Sequence, residues 1–358
     1  MIRSLVSADY PRSRLVAAIL LAILVALALA PFLFPGARSL AVAAKILVFI
    51  LLVASYDLLL GYTGIVSFAH TMFFGIGAYG VAIASTRMGP GWDAVAVGVG
   101  CALALSALLA LVIGLFSLRV KAIFFAMITL AVAAAFQTLA SQLSEFTGGE
   151  DGLTFKVPEV LQPSFELFED TVLGVSIDGR LLSYYLLFVV ALALFLVLLR
   201  IVNSPFGRVL QAIRENDFRA EALGYRTVVF RTISNVLAAI FATLAGALLA
   251  IWLRYNGPDT TLSFEIMLDT LLIVVIGGMG TMYGAVIGSA LFVFAQSYLQ
   301  DLMGWLSGGF EGVPLLAALF SPDRWLLWLG VLFVLSVYYF PTGVVGKLRA
   351  RALARSVR

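Results

Sequence analysis

Charge is scarce in this chain: only 12% of its 358 residues are Asp, Glu, Lys or Arg, while 62% are hydrophobic. Soluble domains carry about 25% charged residues, so a water-soluble globule of this size could not cover its surface. The single cysteine, Cys101, lies inside an apolar stretch, which excludes an internal disulfide and a cysteine-based metal site. The single histidine, His70, excludes a histidine-rich metal site, and no Ser–His–Asp arrangement can be argued from it. There is no nucleotide-binding P-loop: Gly343 and Gly346 before Lys347 have the wrong spacing, and Leu348 stands where a Ser or Thr is required. No catalytic residue, metal or cofactor is therefore assigned. The net charge of +3 would suggest nucleic acid only if clustered on a soluble face. Here it follows membrane topology instead, and no nucleic-acid partner is expected.

What the chain has in abundance is long apolar runs. Residues 15–30 and 184–199 each hold sixteen apolar residues without a break, the second closed by Arg200. A spanning helix needs about 20 mostly apolar residues to cross ~30 Å of hydrocarbon. The first run, preceded by Arg12 and Arg14, resembles a signal peptide, but it exceeds the usual 7–15-residue core and is expected to stay as an uncleaved helix. Ten apolar segments can be drawn, at 14–34, 40–60, 65–85, 94–118, 122–143, 182–202, 228–253, 266–276, 283–302 and 325–340. The eighth is short and could begin nearer Ser263; the third carries Gly75, Gly77 and Gly80 and could be broken or tilted. The expected fold class is an all-α membrane protein of about ten transmembrane helices, one transmembrane unit over residues 1–358.

Lys and Arg concentrate in short cytoplasmic loops. The N-terminus has Arg3, Arg12 and Arg14 against Asp9, and the tail has Lys347, Arg349, Arg351, Arg355 and Arg358 with no acid. Ten spans place both termini in the cytoplasm, together with Arg119, Lys121 and the stretch 200–231, where six arginines face three acids. The loop 144–181, with eight acids against Lys156 and Arg180, then falls outside.

Three segments are not ordinary spans. In the first, residues 61–79, Gly77, Gly80 and Ala84 recur at helical intervals and read as tight packing. Ser67, His70 and Thr71 bring polar groups into the start of an apolar helix, where such groups pair internally or line a pathway; a hydrogen-bonded structural role and a pathway or gating role both stay open for them. The second is the loop 203–226. Ser204 before Pro205 is a helix start, Val209, Ile213, Phe218 and Leu223 give a mixed apolar stripe, and Gly224 is a helix stop. One amphipathic helix, or two, is expected at the cytoplasmic surface, resting on membrane lipid or docking onto a cytosolic partner. The third, 277–288, is a glycine turn between two helices, similar in form to Gly61–Gly64 and a faint sign of an internal repeat. Charges within the spans are few. Asp57 sits near the cytoplasmic end of the second segment, and Lys45 near its other end. An ion-coupled carrier buries more ionisable groups than that, so energy is expected to come from a partner.

Taken in order, these segments resemble the LivM-type permeases of the branched-chain amino-acid ABC importers, from about residue 40 to 348. The resemblance rests on Gly61, Tyr62, Gly64, Ser67, His70, Phe73, Phe74, Gly75, Gly77, Ala78 and Tyr79. It continues through the helix 125–130 and Phe146 to Gly152, through Ser204 to Arg208, Ala212 to Glu215 and Glu221 to Gly224, and closes on Phe264, Glu265, Gly277 to Gly280 and Phe340 to Gly343. It implies a multi-pass protein of the bacterial plasma (inner) membrane. Its partners would be a second, LivH-like permease, two cytosolic ATPase subunits and an external solute-binding protein. The loop 203–226 would then couple to an ATPase through Arg208, Arg214, Arg219, Glu221 and Gly224, its arginines meeting partner carboxylates. Ile65, Ala69 and Asp57 stand where Gln, Gly and Asn are frequent in that family. Relatives also import urea, amides and aromatic acids, so the solute stays open. The reading from another class is an autonomous secondary carrier or channel.

Overall fold

The structure is a computed structural model describing residues 14–34, 36–117, 122–166, 177–309, 319–340 and 343–348. Arg3, Arg12, Arg119, Lys121, Glu169, Asp170 and the arginines of the tail, on which part of the topology reading rests, lie outside the described residues.

Every one of the expected apolar segments contains a helix. In chain order the helices are α1 (Arg14–Ala28), α2 (Ala37–Thr63), α3 (His70–Met88), α4 (Trp92–Ser117), α5 (Ala122–Gln142) and α6 (Gly179–Val202). After the loop helices α7 (Pro205–Glu215) and α8 (Asp217–Ala222) come α9 (Thr227–Leu253), α10 (Phe264–Gly277), α11 (Met282–Gly309) and α12 (Trp325–Tyr339). Eight helical stretches among the described residues are long and apolar enough to cross a membrane. The two expected segments outside that count are α1 and α3. With 15 residues, α1 rises only about 22 Å, because the helix breaks at Leu29 and restarts with Pro31 in its first turn. The third segment begins at His70 rather than Ile65, since Gly64 takes a left-handed conformation (φ 72°) that stops α2 and the chain runs non-helical to Ala69. His70, Thr71, Ser85, Thr86 and Arg87 then dilute the apolarity of α3.

Local sequence sets the other boundaries. Asp178 caps α6, its carboxylate accepting from the Leu181 N–H at 2.9 Å. Ser263 caps α10, which therefore starts at Phe264, earlier than the apolar run alone suggests. The described first part of the loop, residues 144–166, packs onto the end of α9: β1 (Leu153–Thr154) pairs antiparallel with β2 (Tyr255–Asn256), and the Tyr255 hydroxyl donates to the Asp151 carbonyl.

The centre of the bundle is α2, α3 and α9. Some 72% of the apolar window of α2 and of α9 is buried, against 17% for α5, which marks α5 as peripheral. Small residues allow this closeness. A Cβ on Gly77 would lie 1.8 Å from the Thr243 carbonyl oxygen, and one on Gly246 would lie 1.8 Å from that of Phe74, so α3 and α9 meet backbone to backbone. Gly80 and Gly98 do the same between α3 and α4. The Thr243 hydroxyl of α9 lies within hydrogen-bonding distance of the Phe73 carbonyl of α3 and, at 2.6 Å, of the Ser106 hydroxyl of α4.

Candidate functional site

One end of the bundle gathers the glycine junctions and the loop 203–226 into a single node. Helix α2 ends at Thr63, so the Gly61 carbonyl is one of the four that lack an intrahelical donor. The Arg214 guanidinium of α7 donates to it and brings a positive charge to a helix C-terminus, where it is favoured. One turn earlier on α2, the Asp57 carboxylate accepts from the Gly280 backbone N–H at 2.9 Å. The fit depends on missing side chains: a Cβ on Gly61 would stand 2.3 Å from the Gly280 nitrogen, and one on Gly280 would stand 2.8 Å from the Arg214 guanidinium. Gly343 packs on the same turn, since a Cβ there would lie 2.2 Å from the Gly278 Cα. Four segments far apart in sequence thus meet at one place.

The loop itself forms two helices. Gly207 lies so close to Val202 that α7 folds back sharply from α6, and Leu210 and Ile213 bury against the bundle. The expected apolar stripe is therefore divided. Ile213 faces inward and Val209 is half-buried, while Phe218 and Leu223 are 88% and 74% exposed. Arg208 and Arg219 are exposed, but Arg214 is committed to Gly61 within its own chain. Glu221 accepts from the Thr227 hydroxyl at 2.8 Å, tying α8 to the start of α9. Arg231 and Asp217 form a salt bridge at 2.9 Å across the same junction. Gly224 has φ 91°, as a sharp turn into α9 requires, with open space beside it.

Ser67, His70 and Thr71 are all buried. The His70 Nε2 lies 2.8 Å from the Ser55 hydroxyl, and its ring packs tilted against Tyr56. His70 thus joins the start of α3 to α2, while its Nδ1 has no hydrogen-bond partner among the described residues. The Ser67 hydroxyl accepts from the Ala69 N–H within the non-helical turn.

The other end of the bundle holds a polar cavity of about 630 Å³ between α2, α9, α10 and α11. Lys45 donates to the Gln296 carbonyl oxygen at 2.9 Å, and the Gln296 amide donates to Asp269 at 3.2 Å. Lys45 was visible in the sequence. Asp269 and Gln296 give no signal of a pair in the sequence, because they lie on different helices and only the packing of α10 on α11 joins them. Among the described residues no cluster of His, Cys, Asp and Glu could hold a metal ion.

The family model described as branched-chain amino acid transport system / permease component matches residues 38–337. The chain belongs to this family. It is similar to the high-affinity branched-chain amino acid transport system permease protein LivM of Salmonella typhimurium, 26% identical over 85% of this chain and 73% of the relative. The LivM protein of Escherichia coli is also 26% identical, over 79% of this chain and 68% of the relative. The autoinducer 2 import system permease protein LsrC of Yersinia enterocolitica is 28% identical, over 64% of this chain and 63% of the relative. No solved structure matches. The fold class, the permease role and the multi-pass membrane location expected from the sequence all stand. A permease component transports rather than catalyses, and by its description it is one part of a larger system.

Proposed function

We propose that this chain is one permease of an ATP-driven importer for branched-chain amino acids. A second, LivH-like permease, two cytosolic ATPase subunits and an external binding protein would complete the importer. The node carries this reading. Helices α7 and α8 are braced onto the ends of α2 and α9 while Phe218 and Leu223 point away from the bundle. Full burial of such a side chain is worth about 1.5–3 kcal/mol, enough to seat the loop in an ATPase cleft. The node end is cytoplasmic in this reading, and the loop 144–181 is external. Arg208 and Arg219 meet the ATPase directly. Arg214, Glu221 and Gly224 instead transmit its motion to α2 and α9. Ser67, His70 and Thr71 act as a gate: any displacement of the α2 end is felt at the Ser55–His70 bond before it reaches the solute.

The test is reconstitution of the chain with its second permease, ATPase pair and binding protein. Leucine uptake should require ATP, and the ATPases should co-purify with the permeases. ATP-independent flux by the chain alone would favour the autonomous carrier or channel. Preferential uptake of urea, an amide or an aromatic acid would keep the importer and replace the solute. Co-purification unchanged when Phe218 and Leu223 are both replaced by Ser would make α8 a helix lying on membrane lipid.

A further inference from the structure

We propose that the polar cavity is a binding site for a zwitterion, with Lys45 receiving the carboxylate and Asp269 the ammonium of an amino acid on its way through. The inference rests on the importer reading above and names the solute site within it. The volume, about 630 Å³, is within the roughly 300–1,000 Å³ usual for small-molecule sites. Its lining carries both signs of charge: Arg38 and Lys45 against Asp259, Glu265 and Asp269. Arg38 is already engaged by Asp301 at 2.7 Å and by the Ser297 carbonyl. Among the described residues Lys45 forms no salt bridge. Between it and Asp269 stands the neutral amide of Gln296, accepting from the ammonium through Oε1 and donating to the carboxylate through Nε2.

That polarity is what an amino acid presents. Its carboxylate accepts where Oε1 accepts, and its ammonium donates where Nε2 donates. A direct Lys–Asp ion pair would satisfy itself, whereas two charges held apart by an amide leave each able to take up a ligand group when the amide turns aside. Even half-buried charges are costly to keep unless paired or hydrogen-bonded, which gives the amide its resting role. Phe49, Phe74 and Trp252 supply the apolar wall for a branched side chain. Phe74 lies one helical turn after His70, so the inner end of the cavity abuts the proposed gate. A solute carrying only one of the two charges would satisfy only one member of the pair.

The experiment uses the complete reconstituted importer, whose leucine uptake is measured first. Thr260, a half-buried residue of the cavity lining, is replaced by Cys in a Cys101→Ser background and labelled with a membrane-impermeant maleimide. Leucine at ten times its Kd should slow labelling about tenfold, as simple occupancy requires, while isopentylamine, which lacks the carboxylate, should protect far less at the same concentration. Lys45→Met and Asp269→Asn should each abolish the protection but leave labelling itself intact, and Asp269→Glu should restore it in part. A wild-type complex that imports leucine yet shows no protection by leucine overturns the site, and this arm needs no charge variant to fold. Equal protection by isopentylamine, or protection retained in both charge variants, overturns it as well. Absence of leucine uptake by the wild-type complex is a separate failure: it refutes the amino-acid reading, and the site assignment falls with it.

Discussion

The backbone contact between α3 and α9 makes a quantitative prediction for Gly77→Ala. The new Cβ would start 1.8 Å from the Thr243 carbonyl oxygen, and real Cβ contacts do not fall below 3.0 Å, so the helices must part by about 1.2 Å. A gap of ~0.5–1 Å already forfeits a quarter to a half of the dispersion well of each contact it opens. Backbone cannot rotate out of the way as a side chain can, which places the cost near the top of the ~1–3 kcal/mol range for overpacking. The hydroxyl bond from Thr243 to the Phe73 carbonyl would also stretch, at a cost of about 1 kcal/mol. Alanine returns up to about 1 kcal/mol of helix propensity. The net loss is roughly 3 kcal/mol, about a hundredfold in an equilibrium constant. Gly100 on α4 is the control: a Cβ there meets nothing within 4 Å, so Gly100→Ala should be neutral or slightly stabilising. Denaturation of the detergent-solubilised protein would measure both. Gly246→Ala should resemble Gly77→Ala, and the double variant should cost less than the sum, because α9 has already withdrawn. If Gly77→Ala matches Gly100→Ala, the backbone contact is not the constraint claimed for it.

Three further outcomes follow from the node and the topology. Arg214→Met strips the Gly61 carbonyl of its charged donor and should cost about 2 kcal/mol; it should raise hydrogen exchange in α7, with Arg214→Lys intermediate because an ammonium lacks the guanidinium fork. Gly224→Val forces a β-branched residue to φ 91°, at about 1–3 kcal/mol of strain, and should lower uptake without lowering the amount of protein in the membrane. Gly224→Asn, which tolerates that conformation, should keep most of the uptake. In a Cys101→Ser background, cysteines at positions 164 and 356 should label with an impermeant reagent from outside and inside respectively; the reverse pattern would refute the orientation.

Apolar runs and their interruptions carry most of this fold, because a spanning helix must satisfy its backbone within itself and so writes its length into the sequence. That is why each expected segment contains a helix and why Ser263, Ser204 and Gly224 mark real boundaries. Where polarity and apolarity mix, the sequence says less. The non-helical turn before His70 follows from one left-handed glycine, Gly64, that looks no different from the packing glycines nearby. The loop 203–226 was legible as amphipathic helices, but the division of its stripe was not. Whether Ile213 or Phe218 faces the bundle depends on the sharp return at Gly207, a contact with Val202 that no periodicity encodes. Arg214 illustrates the same limit: its type suggested a partner carboxylate, and only the arrangement of three distant segments supplies the carbonyl it meets. Asp269 and Gln296 are a pairing between helices, invisible in either helix alone.

The node also bears on how such permeases can be recombined. Under the proposed coupling role, the loop would invite treatment as a cassette, to be exchanged between relatives so that one permease is driven by another's ATPase. Here the cassette has no clean edges. The guanidinium of Arg214 ends on Gly61, the turn holding Gly280 is anchored by Asp57, and Glu221 is bound to Thr227. A transplanted 203–226 segment would arrive without the carbonyl, the glycines and the threonine that receive it. Any working exchange has to move positions 57–64, 214–227 and 278–281 as one unit, although they are scattered over two thirds of the chain.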